Sequence, residues 1–250
     1  MKFTIFVGAV CDIGLHKSGN EDMILLNNEI FRDGKKQASF NSDKKIIIAV
    51  ADGVGGLNKG EIASEHVLKA LSDVFSKIPD NLENDELKSI FEAYTIQTHV
   101  SLSKEMGSTL AGLFFYNGKL FRFHAGDSRI YRLRKGYLQR LTIDHSLREM
   151  GGQPNAPSNI ITNAIGGGTS AFIDFTEIEH PFLNDDIYLL SSDGLHDLVS
   201  GNEISEVLEK TNSRSMEAAE KLTEMANKYG GRDNISVVTI NITINSQIED

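Results

Sequence analysis

Thr109-Leu110-Ala111-Gly112-Leu113-Phe114-Phe115-Tyr116-Asn117-Gly118-Lys119-Leu120-Phe121-Arg122-Phe123-His124-Ala125 is two apolar stretches divided by Asn-Gly. Asparagine and glycine both tolerate the positive φ that a two-residue hairpin turn demands, so 109–125 reads as two antiparallel strands. The pattern repeats at once: 130–134 and 137–142 flank Lys135-Gly136, a second hairpin. Consecutive hairpins specify antiparallel sheet. Apolar runs at 3–10, 44–51, 186–191 and 235–244 read as further buried strands. Helical spacing links Ala63, Val67, Ala70, Leu71, Val74 and Phe75, then Leu87, Ile90, Phe91 and Tyr94. A later pair carries Ile204, Val207 and Leu208, then Ala218, Ala219, Leu222, Met225 and Tyr229, stopped by Gly230-Gly231. Two helix pairs separated by many strands imply an α+β fold. We expect a four-layer α/β/β/α sandwich: two central, mostly antiparallel sheets flanked by helix pairs.

With 250 residues, no repeat and no proline-rich linker, a single domain over 1–250 is the simplest organisation. Hydrophobic residues make up 40%, which argues against long disorder. The net charge of −10 disfavours nucleic acid and anionic membrane as partners. Cys11 is the only cysteine, so no internal disulfide can form, consistent with a reducing cytoplasm. An apolar run ending at Cys11 resembles a lipoprotein signal, but it is short and Val10 is large for a cleavage site, so a first buried strand is expected. No run is long enough to span a bilayer.

The aspartates carry the chemical information. The run 46–51 leads into Asp52-Gly53, and 188–192 leads into Asp193-Gly194. Asp233-Asn234 precedes the last strand, Asp127 follows Ala125-Gly126, and Glu21-Asp22 precedes 23–26. One Asp-Gly is most often a turn. Five acidic sites at the lips of apolar strands, where strand ends can converge, point to something that keeps the acids ionised. A hard divalent cation does so, and oxygen-only ligands favour magnesium or manganese. No cysteine or histidine pair has zinc spacing.

Eight short motifs then occur in order: Asn20-Glu21-Asp22, 50–56 (Val-Ala-Asp-Gly-Val-Gly-Gly), Gly60-Glu61, Gly107-Ser108-Thr109, Gly126-Asp127-Ser128-Arg129, 141–146 (Leu-Thr-Ile-Asp-His-Ser), Ser192-Asp193-Gly194 and 231–234 (Gly-Arg-Asp-Asn). Together they resemble the metal-dependent serine/threonine protein phosphatases of type 2C, in their compact bacterial form, from about Gly8 to Ile242. The resemblance implies a β-sandwich flanked by helix pairs and a cytoplasmic, monomeric enzyme. Its implied substrates are phosphorylated proteins, the products of a serine/threonine kinase. It implies two Mn2+ or Mg2+ ions per chain. Asp52 would bridge them, the Gly53 carbonyl would bind one, and Asp193 and Asp233 would hold the other. Glu21 and Asp22 would support metal-held waters, and Asp127 with Asp197 would take a weaker third cation. Hydrolysis would proceed by direct attack of a water activated by both metals, with no phosphoenzyme.

The chain departs from the pattern at several points. Lys17 stands where the family usually has a phosphate-gripping arginine; it keeps the charge but loses the bidentate fork, with His16 beside it. Val54 occupies the place of the histidine found in animal members, so no side-chain acid is assigned and a metal-held water takes that part. His145 reads as structural; His196, three residues beyond Asp193, could approach the site, though the reading without a role there is preferred. A short flap is expected at 147–161, rich in glycine, proline, serine and asparagine. Two other functions use the same fold: an inactive phosphoprotein-binding relative, disfavoured by the complete set Asp52, Asp193 and Asp233, and a small-molecule phosphatase.

Overall fold

The computed structural model describes residues 2–55, 59–153, 155–156, 160–183, 186–212 and 214–245. Gly56 of the second motif and positions 154 and 157–159 of the expected flap lie outside them. One sheet runs in the order β10 (Tyr137–Arg140), β9 (Arg129–Arg134), β13 (Ile187–Ser191), β14 (Ile235–Asn245), β1 (Lys2–Asp12), β4 (Gly34–Asn41). The other runs β11 (Ile165–Gly166), β6 (Gly107–Ser108), β5 (Ile46–Val54), β7 (Leu110–Tyr116), β8 (Lys119–Ala125), β12 (Asp174–Glu177). In that second sheet β2 (Asp22–Leu26) also pairs with β5 and with β3 (Glu29–Phe31). The pairings of both sheets are antiparallel. Both expected hairpins form, with φ of 49° at Asn117, 76° at Gly118, 50° at Lys135 and 76° at Gly136, the two positive angles that the tight turn needs.

The sheets face one another across a layer containing Ile5, Val7, Ile48, Val50, Leu113, Tyr188, Leu190, Val238 and Ile240. Alternate residues of the same strands point outward. Ile47, Ala49 and Phe114 meet Val67, Leu71 and Phe91 of α1 (Lys59–Lys77) and α2 (Asn84–Ser101). On the other side Leu189 and Val237 meet Ile204, Leu208, Ala219 and Leu222 of α4 (Gly201–Thr211) and α5 (Ser215–Lys228). Strands covered on both faces read as continuous apolar runs, and this explains 46–51 and 186–191. Each fully buried isoleucine, leucine or phenylalanine here contributes about 1.5–3 kcal/mol relative to exposure. The four-layer sandwich is therefore the observed architecture.

The short strands β3, β6, β11 and β12 are not among the expected elements, and three further elements differ from the sequence expectation. β5 does not end at Ala51: it continues through Asp52 to Val54, because Gly53 and Val54 pair with Ser108 and Gly107 of β6. β10 stops at Arg140 rather than 142. β4 has no apolar run to announce it. It is a sheet edge whose Ala38 and Phe40 turn inward while Lys35 pairs with Glu220 of α5, and lysines are a common guard of such edges. The flap segment is closed at its base by a bridge between Ser146 and Ile161 and by Leu147 N–H donating to the Ile160 carbonyl at 2.8 Å.

Candidate metal centre

The acids converge because both sheets end at one place. Asp22 of β2 lies directly opposite Asp52 of β5 in the second sheet. From the first sheet, β13 delivers Asp193 at the start of the short helix α3 (Asp193–His196), and Asp233 stands just before β14. Asp127 occupies the crossing from β8 to β9, between the sheets. A cavity of about 380 Å³ opens there, lined by Lys17, Glu21, Asp52, Gly53, Val54, Gly55, Asp127, Ile161, Asp193 and Asp233. Asp22 sits behind it, 1% exposed, its Oδ2 accepting from Ser192 Oγ at 2.6 Å. Asp197 caps α3 one turn from Asp193, its N–H donating to the Asp193 carbonyl at 2.9 Å, and it does not line the cavity.

Backbone packing leaves no slack. A Cβ on Gly53 would lie 1.9 Å from the Gly60 carbonyl oxygen, and one on Gly194 would lie 2.0 Å from that of Asn234. Asp52 is held by Thr109, whose Oγ1 accepts from the Asp52 N–H at 3.1 Å and whose N–H donates to the Asp52 carbonyl at 2.8 Å. Asn234 ties the entry to β14 to the β1–β2 loop at three points: Oδ1 accepts from Glu21 N–H at 2.8 Å, and Nδ2 donates to the carbonyls of Ile13 at 2.9 Å and Gly19 at 3.1 Å.

The electrostatics show what this placement costs. Burial, then the charges of Asp22, Asp193, Asp127 and Asp233, hold the Asp52 carboxyl well above its ordinary range. Burial, then Asp127, Asp233, Asp22 and Asp197, do the same to Asp193. Asp22 is pushed up to about 6 by burial, against the hydrogen bonds of Ser192 and Ser236. Asp127 reaches about 6 through burial and Asp144. Glu21 is raised by burial, partly offset by Lys17. Asp193 Oδ1 is buried with no hydrogen-bond partner. An orphaned carboxylate oxygen among mutually repelling acids, with only oxygen donors around it, fits a hard divalent cation.

Lys17 is the one cationic side chain lining the cavity among the described residues, its Nζ 2.7 Å from Asp233 Oδ1. Burial works against its charge, but Asp233 outweighs that and its pKa is raised. His16 is exposed and outside the lining. His196 does not reach the cavity either; its Nδ1 lies 3.0 Å from Ser191 Oγ, and burial followed by Arg129 and Arg140 keeps it neutral. Sequence reasoning placed Arg129 and Asp144 in separate motifs but missed their pairing: Arg129 clamps Asp144 with Nε at 3.0 Å from Oδ1 and Nη2 at 2.6 Å from Oδ2. It missed Arg32 as well, whose Nη2 donates to the Glu61 carbonyl at 2.8 Å. Neither partner is close in sequence, so no local pattern signals the pairs.

A second group, His124, His145 and Asp174, brings its ligand atoms within 4.8 Å of one another away from the acidic cavity. His145 Nδ1 accepts from Gly126 N–H at 3.2 Å and Asn163 Nδ2 at 2.7 Å. Phe172 fixes the Asn163 amide, its N–H donating to Oδ1 and its carbonyl accepting from Nδ2. The His145 proton therefore sits on Nε2, facing Asp174 Oδ2 at 3.3 Å. His124 Nε2 faces the Ile143 carbonyl at 2.9 Å and is also protonated. Both Nε2 atoms carry hydrogens, so neither nitrogen that faces Asp174 or the Ile143 carbonyl offers a metal a lone pair, while His124 Nδ1 is buried without a hydrogen-bond partner.

The family model for protein phosphatase 2C matches residues 26–233. The serine/threonine phosphatase stp of Listeria monocytogenes serotype 4b is 32% identical over 220 residues, covering 80% of this chain and 86% of that protein. The Streptococcus agalactiae serine/threonine phosphatase superposes with a TM-score of 0.78 at 27% identity, covering 95% of this chain and 99% of that one. The catalytic domain of the serine/threonine protein phosphatase PstP, solved with two manganese ions, gives 0.76 at 29% identity, covering 97% and 100%.

Proposed function

The chain belongs to the protein phosphatase 2C family, and on that premise we propose that it hydrolyses phosphoserine and phosphothreonine in other proteins with two divalent cations, manganese or magnesium. The observation that carries this is the convergence of Asp52, Asp193 and Asp233, from two sheets, on one cavity around the unpartnered Asp193 Oδ1. Asp52, the Gly53 carbonyl, Asp193 and Asp233 would hold the pair, with Glu21 and Asp22 behind them. Asp127 and Asp197 would take a weaker third ion. Two such cations acidify a shared water and neutralise phosphoryl charge. The chain's own groups do the rest. The paired acids keep the site anionic until cations arrive. Lys17 places a point charge at the lip, where it can exchange Asp233 for a phosphoryl oxygen. Among the described residues the lining offers no serine, cysteine or histidine to carry a phosphoryl group, and its aspartates are the groups proposed to hold the cations, which supports direct hydrolysis.

No helix among the described residues is long and apolar enough to cross a membrane. We further propose a cytoplasmic monomer, on the single cysteine, acting on the products of a serine/threonine kinase, on the family resemblance. The test is hydrolysis of phosphoserine, phosphothreonine and phosphotyrosine peptides and of a free phosphometabolite, with manganese and with chelator. We expect manganese-dependent turnover of the first two. A metabolite turned over far faster than any peptide would reverse the substrate assignment, and binding without turnover would indicate a phosphoprotein-recognition module.

A further inference from the structure

We infer that an uncharged groove beside the acidic cavity receives the segment of the substrate chain that flanks its phosphorylated residue; this rests on the phosphoprotein reading above. The groove encloses about 200 Å³ and is continuous with the acidic cavity, because Val54 and Ile161 line both. Val54 directly follows Gly53, so the groove begins one residue from the proposed metal ligands. Residues 162–164, 166–168 and Ser170 form the rest of the walls, and among the described residues none that lines it is ionisable. An acidic hole thus opens sideways into a neutral slot.

The far wall is anchored rather than loosely draped. Thr162 N–H donates to the His145 carbonyl at 2.7 Å, and the buried Asn163 ties His145 to the Phe172 backbone. Gly166 N–H donates to His99 Nδ1 at 3.0 Å, and Ile165 and Gly166 pair with Ser108 and Gly107, the strand that also holds Gly53 and Val54. A wall fixed in advance is not ordered at the expense of binding. The groove meets the cavity on one side, so it discriminates among residues on one side of the phosphorylated position. A charged side chain entering it gives up hydration and meets no counter-charge, whereas a small or apolar one packs on Val54, Ile161 and Ala164. The favoured substrate segment is therefore uncharged, and both signs of charge are disfavoured there. A long-range field from the net charge of −10 would instead reject acids and welcome bases at every position.

The test uses the Mn2+-loaded 250-residue chain and phosphothreonine peptides carrying Ala, Leu, Glu or Lys at each flanking position in turn. Each specificity constant is divided by that for an aryl phosphate too small to fill the groove. In the wild type, both Glu and Lys should lower the ratio about tenfold at positions on one side of the phosphothreonine. Two variants read the groove directly. A Cβ on Gly168 meets nothing nearer than Ser170 O at 3.7 Å, so Gly168→Trp adds bulk without backbone strain and should lower the ratio for the Leu peptide about tenfold. Exposed Thr162→Glu should make the Lys peptide the preferred one. Ratios unmoved by either variant, or Glu and Lys acting oppositely at every position, overturn the groove. A wild type that cleaves the aryl phosphate and no phosphopeptide overturns the protein-phosphatase reading with it, and is told apart by the wild type alone.

Discussion

Asp52 faces Asp22 across the strand ladder and feels Asp193, Asp127 and Asp233 from other elements. Its charge is therefore unwelcome in the metal-free chain and required in the loaded one. Asp52→Asn should reduce aryl phosphate hydrolysis at least about a hundredfold, the scale of removing a major electrostatic contributor. In chelator, thermal melting of the same variant should show no loss of stability, because an amide relieves a buried like-charge cluster. Near-normal turnover would remove Asp52 from the centre. Lys17 sits at the opposite sign. Lys17→Ala should raise KM several-fold with little change in kcat, and Lys17→Arg should restore it, since guanidinium can hold two oxygens where ammonium offers a point charge. Identical phosphopeptide kinetics in Lys17→Ala and wild type would leave the lysine as no more than the partner of Asp233 seen at 2.7 Å.

At the level of elements, the site depends on two close backbone approaches, β5 against the start of α1 and α3 against the entry to β14. Gly194 bears on two proposed ligands from different elements, because Asp193 precedes it and Asp233 lies next to the Asn234 carbonyl it faces. Gly194→Ala forces these apart. Overpacking of this kind costs about 1–3 kcal/mol. The melting temperature should fall, and the manganese concentration for half-maximal activity should rise severalfold. A variant with lowered melting temperature and unchanged manganese requirement would show that the helix–strand contact serves stability alone. A helical turn carries the chain from Asp193 to Asp197, while the strand expected to stop at Ala51 does not stop. The reason is non-local: β6 is two residues long and carries no strand pattern of its own, yet it extends β5 past Asp52 and pairs with Gly53 and Val54.

For the whole molecule, protons and cations compete for one cluster. Asp22 and Asp127 titrate near 6, above the ordinary aspartate value of 3.8. A carboxylate raised in the native state binds its proton more tightly folded than unfolded. Its stabilisation is full below 3.8 and is lost as pH rises through about 6. Manganese needs the deprotonated form. The increase in melting temperature on adding manganese should therefore grow from pH 5 to pH 7, with groups remote from the site cancelling between the two measurements. A manganese shift independent of pH would mean that these acids are not among the groups the cation displaces protons from.

The sequence alone determined the hairpins, the helix faces and the four layers, because Asn117-Gly118 and the apolar periodicities are local signals that burial on one or both faces rewards. It also named the acids, since each stands beside a strand it could announce. Tertiary structure alone decided which acids share a cavity and which sit behind it. Asp22 is sealed under Ser192, and Asp197 stays outside the lining. It likewise decided that Lys17 meets Asp233 across the chain and that Val54 and Ile161 join a neutral groove to an acidic hole. Those relations span one sheet to the other, and no pattern along the chain encodes a distance between strands that pair only with their own neighbours.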